Sequence, residues 1–336
     1  MSFLIRLSCV VVVVSLSACS VVYKPAGGFV YDYTENYAVP YTMTSTDLDM
    51  ACSMTGAMLP VLMSFTELRA TPNRNATVMN MLMGNCAELQ AMEEVLSYTQ
   101  ALVAQDINAA KDARIREKRA YATTAARQYA AYRYMTAEFG EPGEKCPKLK
   151  EKDEIYWALG NLAGLQAVLS DLRSQSEVGV PKDIAMKAVR GIQCIDNNKW
   201  WGLPQSLQAG LWIMMPDTTP ENTDPWKAMR EAEQIASASG VRIAHAVSAI
   251  IADGTGHNQQ LREVTRTHGE SLKNQEPNAQ YALIDLLGSR YVQAISDRLW
   301  TEGTGARTPV GALGTFWDDK VENSVNHIDI DDLLGD

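Results

Sequence analysis

Cys19 is the first residue in the chain placed to carry covalent chemistry. It ends the segment Leu16-Ser17-Ala18-Cys19, directly after an apolar run that begins at Leu7. A membrane-spanning helix needs roughly 20 apolar residues. The run from Leu7 to Ala18 is shorter and is broken by serines, and Arg6 precedes it. That is the pattern of a secretory signal with small residues before its cleavage point, of the bacterial lipoprotein kind. The spacing predicts removal of residues 1–18 and acylation of the Cys19 thiol, the expected lipid attachment. An ordinary signal peptide cleaved nearby, or an uncleaved anchor, is the alternative. The uncharged Ser20 after it points to the outer membrane rather than the inner, so the expected location is a periplasm-facing membrane lipoprotein.

Of the six cysteines, Cys9 lies inside the signal segment, leaving Cys52, Cys86, Cys146 and Cys194. An exported chain permits disulfides, and four thiols can pair in three ways. Cys52–Cys86 and Cys146–Cys194 join elements near in sequence and are the favoured pairings. Four buried thiols packing as small apolar groups is the other reading.

Catalytic signatures are missing. The chain has no His-Glu-x-x-His, Gly-x-Ser-x-Gly, Walker loop or Cys-x-x-Cys. Its four histidines, His245, His257, His268 and His327, are scattered. The expectation is a protein that is not an enzyme, with no metal and no cofactor. A formal charge of −10 argues against nucleic acid, whose phosphates call for clustered Lys and Arg. Cutting at Cys19 removes one positive charge, Arg6, and no acid, which makes the remainder more acidic still.

Nine of the fifteen methionines lie between Met43 and Met92. Core packing is their plainest use, and soft thioethers can also hold Cu(I). Flexible, polarizable Met also suits a cleft for a variable apolar ligand. Helix periodicity places Met54, Met58, Met81, Met83, Tyr156 and Trp157 toward one apolar cavity, the candidate ligand cleft.

The elements that must position these residues read as helices almost throughout. Residues 19–45, rich in Gly, Pro, Tyr and polar residues, read as a lipid anchor and flexible tether. Helical periodicity then runs over 46–69, 75–104, 108–138 and 151–175. Shorter helices follow over 181–195, 200–214, 224–239, 242–252, 258–268 and 277–300. Thr223-Asp224-Pro225 is a helix start with Pro at the first helical position. Ala158, Gly160, Ala163 and Gly164 would let a neighbouring helix approach closely. No strand-like alternation is sustained. The Arg and Tyr residues of 114–134 fit a solvated helix face, with an anion site as the functional alternative. Residues 303–336, Gly-rich and then acidic, read as a flexible C-terminal tail. The predicted fold is all-α, with helix hairpins of residues 46–302 stacked as a tetratricopeptide-like α-solenoid.

Cys19, the long helix pair, the helix "AKDARIREKRAYATTAARQYAAYRYM", then "IYWALGNLAGLQAVLSD", and last the helices around "CIDNNKWWGLPQSLQAGLWIMMP" and "YALIDLLGSRYVQAISDRLW" follow in one order. Over about residues 46–300 this order resembles the TRAP-transporter-associated lipoproteins of the T-component (TatT) family. The resemblance implies a tetratricopeptide-type helical fold, assembly as a homotrimer, and an apolar cleft or pore. It also implies a periplasmic TRAP substrate-binding protein as partner, with a hydrophobic or organic-acid ligand passed between the two. The alternative function is a scaffold lipoprotein in an outer-membrane assembly, which calls for an open polar groove.

Overall fold

A computed structural model describes residues 25–68, 71–143 and 145–319. The signal segment, Cys19 and the acidic end of the tail lie outside the described residues. Among the described residues every regular element is helical.

The first helix is a correction to the tether. Residues 25–43 form α1, which contains a π-helical turn at Thr34–Ala38 and continues as an α-helix over Val39–Met43. Pro40 lacks the N–H that the ordinary ladder would use, and widened turns are found where the ladder is interrupted. Tertiary contacts override the Gly and Pro content. Tyr31 Oη donates to Leu62 O at 3.1 Å, and Asn75 Nδ2 donates to Tyr31 O at 3.1 Å. Gly27 is also required there, because a Cβ would come within 2.8 Å of the Phe65 ring.

The α2 helix (Leu48–Ser64) runs antiparallel to α1 and begins at Asp47, whose carboxylate accepts from Met50 N at 2.9 Å. Long helices α3 (Asn73–Val103) and α4 (Ile107–Phe139) pack along their length, and α5 (Glu154–Arg173) lies on both. Glycines set these distances. A Cβ at Gly160 would sit 2.3 Å from Met135 Cγ, and one at Gly164 would sit 2.4 Å from the Tyr132 ring. The shorter helices are α6 (Ile184–Ile192), α7 (Leu203–Met214), α8 (Pro225–Ser239), α9 (Ile243–Gly254) and α10 (Asn258–Asn274). The last, α11 (Ala282–Thr304), packs against α9 and returns to α3. That return closes the helix array around its interior.

Two disulfides join neighbouring elements, Cys52 to Cys86 between α2 and α3, and Cys146 to Cys194 between the α4–α5 loop and the end of α6. The expected tail also needs correction. The helix α11 runs to Thr304, and residues 305–319 fold back onto α10 and α11. Phe316 is buried beneath Arg262 and Arg266, whose guanidinium carbons lie 4.2 and 4.9 Å from its ring centre. Cation–π stacking on an apolar anchor holds a segment whose Gly content alone reads as loose.

The α8–α9 junction is pinned from inside. Arg242, fully buried, donates from Nη1 to Asp285 Oδ2 at 2.7 Å and from Nε to Ser271 Oγ at 2.8 Å, and also bonds the Ser271 and Gln275 carbonyls. Its backbone N–H donates to Asp285 Oδ1 at 2.7 Å. One residue therefore ties α9, α10 and α11 together. Arg242→Met, which strands a buried carboxylate, is expected to cost about 3–5 kcal/mol in urea unfolding. Adding Asp285→Leu is expected to restore much of that loss, since removing both partners of a buried pair is tolerated far better than removing one.

Candidate ligand chamber

A cavity of about 340 Å³ lies between α5, α7, α9 and α11. Helical spacing builds its walls. Leu162, Leu165 and Leu169 of α5 face Ile243, Val247 and Ile250 of α9, with Leu207 and Met214 of α7 on a third side. The lining also includes exposed Leu172 and Gly254 and half-buried Met214 and Thr255, which mark where the cavity opens. The C-terminal ends of α5, α7 and α9 therefore surround the mouth.

One end is polar. Glu88 of α3, fully enclosed among helices, accepts from Gln128 Nε2 of α4 at 2.7 Å and from Tyr291 Oη of α11 at 2.8 Å. Ser170 of α5 donates to Gln128 Oε1 at 2.8 Å, which completes a chain through four helices. Gly84 permits it, because a Cβ there would come within 2.7 Å of Gln128. Burial pushes the Glu88 carboxyl above its ordinary value, and the charge of Arg173 and the bonds from Tyr291 and Gln128 offset only part of that rise. Arg173 is an exposed residue at this end, with its guanidinium carbon 5.1 Å from the Tyr121 ring centre and hydrogen-bonded to Tyr121 Oη. Burial pushes the Tyr121 hydroxyl up to about 12 against the pull of Arg173, so it stays a neutral partner. Gln166 Oε1, in the chamber wall, is buried and accepts no hydrogen bond. Chemically the chamber offers apolar walls, a cation at one end and a free acceptor.

Two small cavities adjoin it. One, of about 40 Å³, shares Glu88, Arg173, Ile250 and Tyr291 with the chamber. The other, of about 30 Å³, shares Leu162, Gln166, Ile243 and Tyr291, and reaches Met43, Met81 and Trp201. Tyr291 borders all three.

This is not the cavity that periodicity proposed. Of Met54, Met58, Met81, Met83, Tyr156 and Trp157, Met81 alone lines one of the cavities described, the smaller apolar one. Trp157 is fully buried in packed core, donating from Nε1 to Gly191 O at 2.7 Å with its ring edge-on to Phe139. Tyr156 is buried one position along the same helix. Met54 Sδ meets the Thr42 hydroxyl at 3.7 Å in the α1–α2 contact, Met83 packs toward Gly56, and Met58 is half-buried on α2. A 3.6-residue period separates a covered face from an open one. It cannot tell a core stripe from a cavity stripe, because both are apolar.

The residues that line the chamber and its two adjoining cavities left a faint trace in the sequence. Met81, Asn85, Glu88, Met92 and Val95 recur at spacings of three and four, so a glutamate sits in an apolar stripe. Leu162, Leu165, Leu169 and Arg173 do the same with a terminal cation. Three arginines of the basic face of α4 pair along the helix surface, Arg114 with Glu117 and Tyr98, Arg116 with Glu94 and Asp112, and Arg133 with Tyr129. His245 and His268 meet with ring centres 5.3 Å apart, and burial pushes His245 down to about 4 and His268 well below its ordinary value. Among the described residues no group of three His, Cys, Asp or Glu side chains could hold a metal ion.

No family model matches the chain, and no characterised protein or solved structure shows significant similarity to it.

The raised Glu88 carboxyl gives a pH dependence of definite sign. The folded state holds this proton more tightly than the unfolded state, whose carboxyl titrates near 4.5. Its stabilising contribution is therefore complete below that value and declines as pH rises from there toward the folded-state value. Urea midpoints of the parent are expected to fall, relative to those of Glu88→Gln, as pH rises above 4.5. Parallel midpoint curves would show that Glu88 titrates alike in both states.

Proposed function

We propose that this protein is a lipid-anchored, periplasm-facing helical protein that holds an amphipathic organic acid, as an accessory of TRAP-type solute transport. The observation that carries the reading is the chamber, with apolar walls on three helices and Arg173 at its polar end. In the proposal the apolar body of the ligand lies along Leu162, Leu165 and Val247. Its acid group meets the Arg173 guanidinium, a donor suited to carboxylates, and a donor on the ligand can reach Gln166 Oε1. Acyl chains on Cys19 hold the protein at the outer membrane. A periplasmic substrate-binding protein exchanges ligand at the mouth ringed by α5, α7 and α9. The antiparallel pairing of successive helices supports a tetratricopeptide-type hairpin stack, and homotrimer formation belongs to the same family resemblance. No catalytic step is assigned.

One observation favours the scaffold reading in an outer-membrane assembly instead. An open polar groove of about 510 Å³ runs between α8 and α10, bordered by Arg230, Glu233, Gln234, Ser237 and Glu270. Burial pushes the Glu233 carboxyl at its floor up to about 7.

Crosslinking in intact cells, followed by mass spectrometry of the proteins and small molecules that purify with the lipoprotein, separates the two. Transport predicts a periplasmic solute-binding protein and an organic acid in the same sample. Ile250→Trp, which fills the chamber, and Arg173→Gln, which removes its cation, are each expected to lower ligand retention about tenfold, equivalent to roughly 1.4 kcal/mol. Outer-membrane assembly proteins with no small molecule, and no effect of either variant, would replace this reading with the scaffold.

A further inference from the structure

The N-terminal helix pair carries an apolar face that the chamber does not explain. Phe29, Tyr33, Tyr37 and Tyr41 follow one another at intervals of four along α1 and are 72, 52, 67 and 66% exposed. The π-helical turn at Thr34–Ala38 has more residues per turn than an α-helix, which keeps positions four apart on one line. The Tyr33 and Tyr37 rings stack with centres 5.7 Å apart. Asp32 is the only exposed charged residue between 25 and 45, because Glu35 is drawn into ion pairs with Arg74 and Lys152.

Beside this stripe lies α2, and its outer face is an independent observation. No charged residue occurs from Met50 to Thr66. The segment Leu48–Glu67 is long and apolar enough to cross a membrane, yet little of it is buried. Met50, Pro60 and Val61 are exposed. The helix does not leave the body to span a bilayer, because Ala51, Thr55 and Leu62 are buried and Cys52 is bonded to Cys86 of α3. An apolar helix fastened to the protein surface with its outer side uncovered is a face awaiting an apolar partner.

We infer that the outer faces of α1 and α2 lie against the bilayer surface, as an interfacial membrane-docking site. The inference rests on acylation of Cys19 in the function proposed above. Five residues lie between Cys19 and the start of α1 at residue 25, and six steps of an extended chain at about 3.5 Å each cover at most about 20 Å. Acyl chains seated in the membrane therefore hold α1 within that distance of it. Tyrosine suits the place, since its ring enters the apolar boundary while its hydroxyl stays wet. In a dry contact between two copies of the chain, Tyr33, Tyr37 and Tyr41 would each need a hydrogen-bond partner. The near absence of charge indicates seating by apolar area rather than by anionic lipid, so neutral lipids suffice. With this face down, the protein meets the membrane along a pair of helices as well as through its lipid, which fixes its orientation.

The test uses the full acylated protein in vesicles of phosphatidylcholine and phosphatidylethanolamine. Tyr37→Cys and Val310→Cys each supply one free thiol for an environment-sensitive dye, at exposed positions whose replacement leaves the core intact. Shallow nitroxide lipids are expected to quench the dye at position 37 several-fold more than the dye at 310, with blue-shifted emission at 37 and little effect of salt. The mass of the N-terminal peptide reads acylation separately. An acylated Cys19 with equal quenching at both positions overturns the docking face alone. An unmodified Cys19 overturns the anchor and the inference together. Shielding at 37 that follows protein concentration, without quenching by lipid, assigns the face to a second copy and overturns the inference.

Discussion

A single enclosed carboxyl, Glu88, sets the terms for the middle of this protein. A charge there would face a low-dielectric interior, so the group must be bonded wherever its backbone places it, and burial pushes its carboxyl above the ordinary value. Three helices supply what it needs. Gln128 comes from α4 and Tyr291 from α11, and Ser170 of α5 fixes the Gln128 amide from behind. Each donor works in one register only, because a helix shifted by a residue turns its side chain away. The glycine at 84 is part of the same constraint, since it brings α4 near enough for Gln128 to reach. The network thus fixes the alignment of the long helices and also forms the polar end of the chamber.

The return of α11 to α3 has a second consequence. In an open helical array each hairpin touches only its neighbours, and an apolar inner surface would be left to solvent. Here α11 carries Tyr291 back to the first long hairpin and encloses that surface. Arg242 makes the return rigid. Its guanidinium and backbone N–H both engage Asp285 of α11, and the rest of its donors satisfy the end of α10. The α9 helix starts at that anchored residue, so Ile243, Val247 and Ile250 are presented to the chamber from a fixed base.

The N-terminal pair is built on a different principle. It is held by a disulfide, by ion pairs of Glu35 and by Val39, Met43 and Ala51 in the core, and it still leaves an apolar face outward. On the inference drawn above, a bilayer covers that face in place of protein. The aromatic stripe of α1 and the uncharged length of α2 become intelligible together, with the chamber mouth on other helices left free.

The sequence by itself determined the local matters. Helix periods longer than two turns, the Asp224 helix start, and the close-approach glycines of α5 all follow from interactions within a few residues, or from the absence of a Cβ. The same holds for cysteine pairs that link adjacent elements. What it could not decide depends on residues far apart in the chain. The α1 helix forms because Tyr31 finds Leu62 and Asn75 against a composition that reads as a tether. Residues 305–319 are fixed because Phe316 finds two arginines of α10. The methionine stripes went to packing and to the α1–α2 contact, while the cavity opened among leucines, isoleucines and valines of α5, α7 and α9. An apolar period records that a face is covered. Whether side chains or empty space cover it depends on how helices some 200 residues apart in sequence meet, as Glu88 and Tyr291 do at a separation of 203, and no local pattern carries that information.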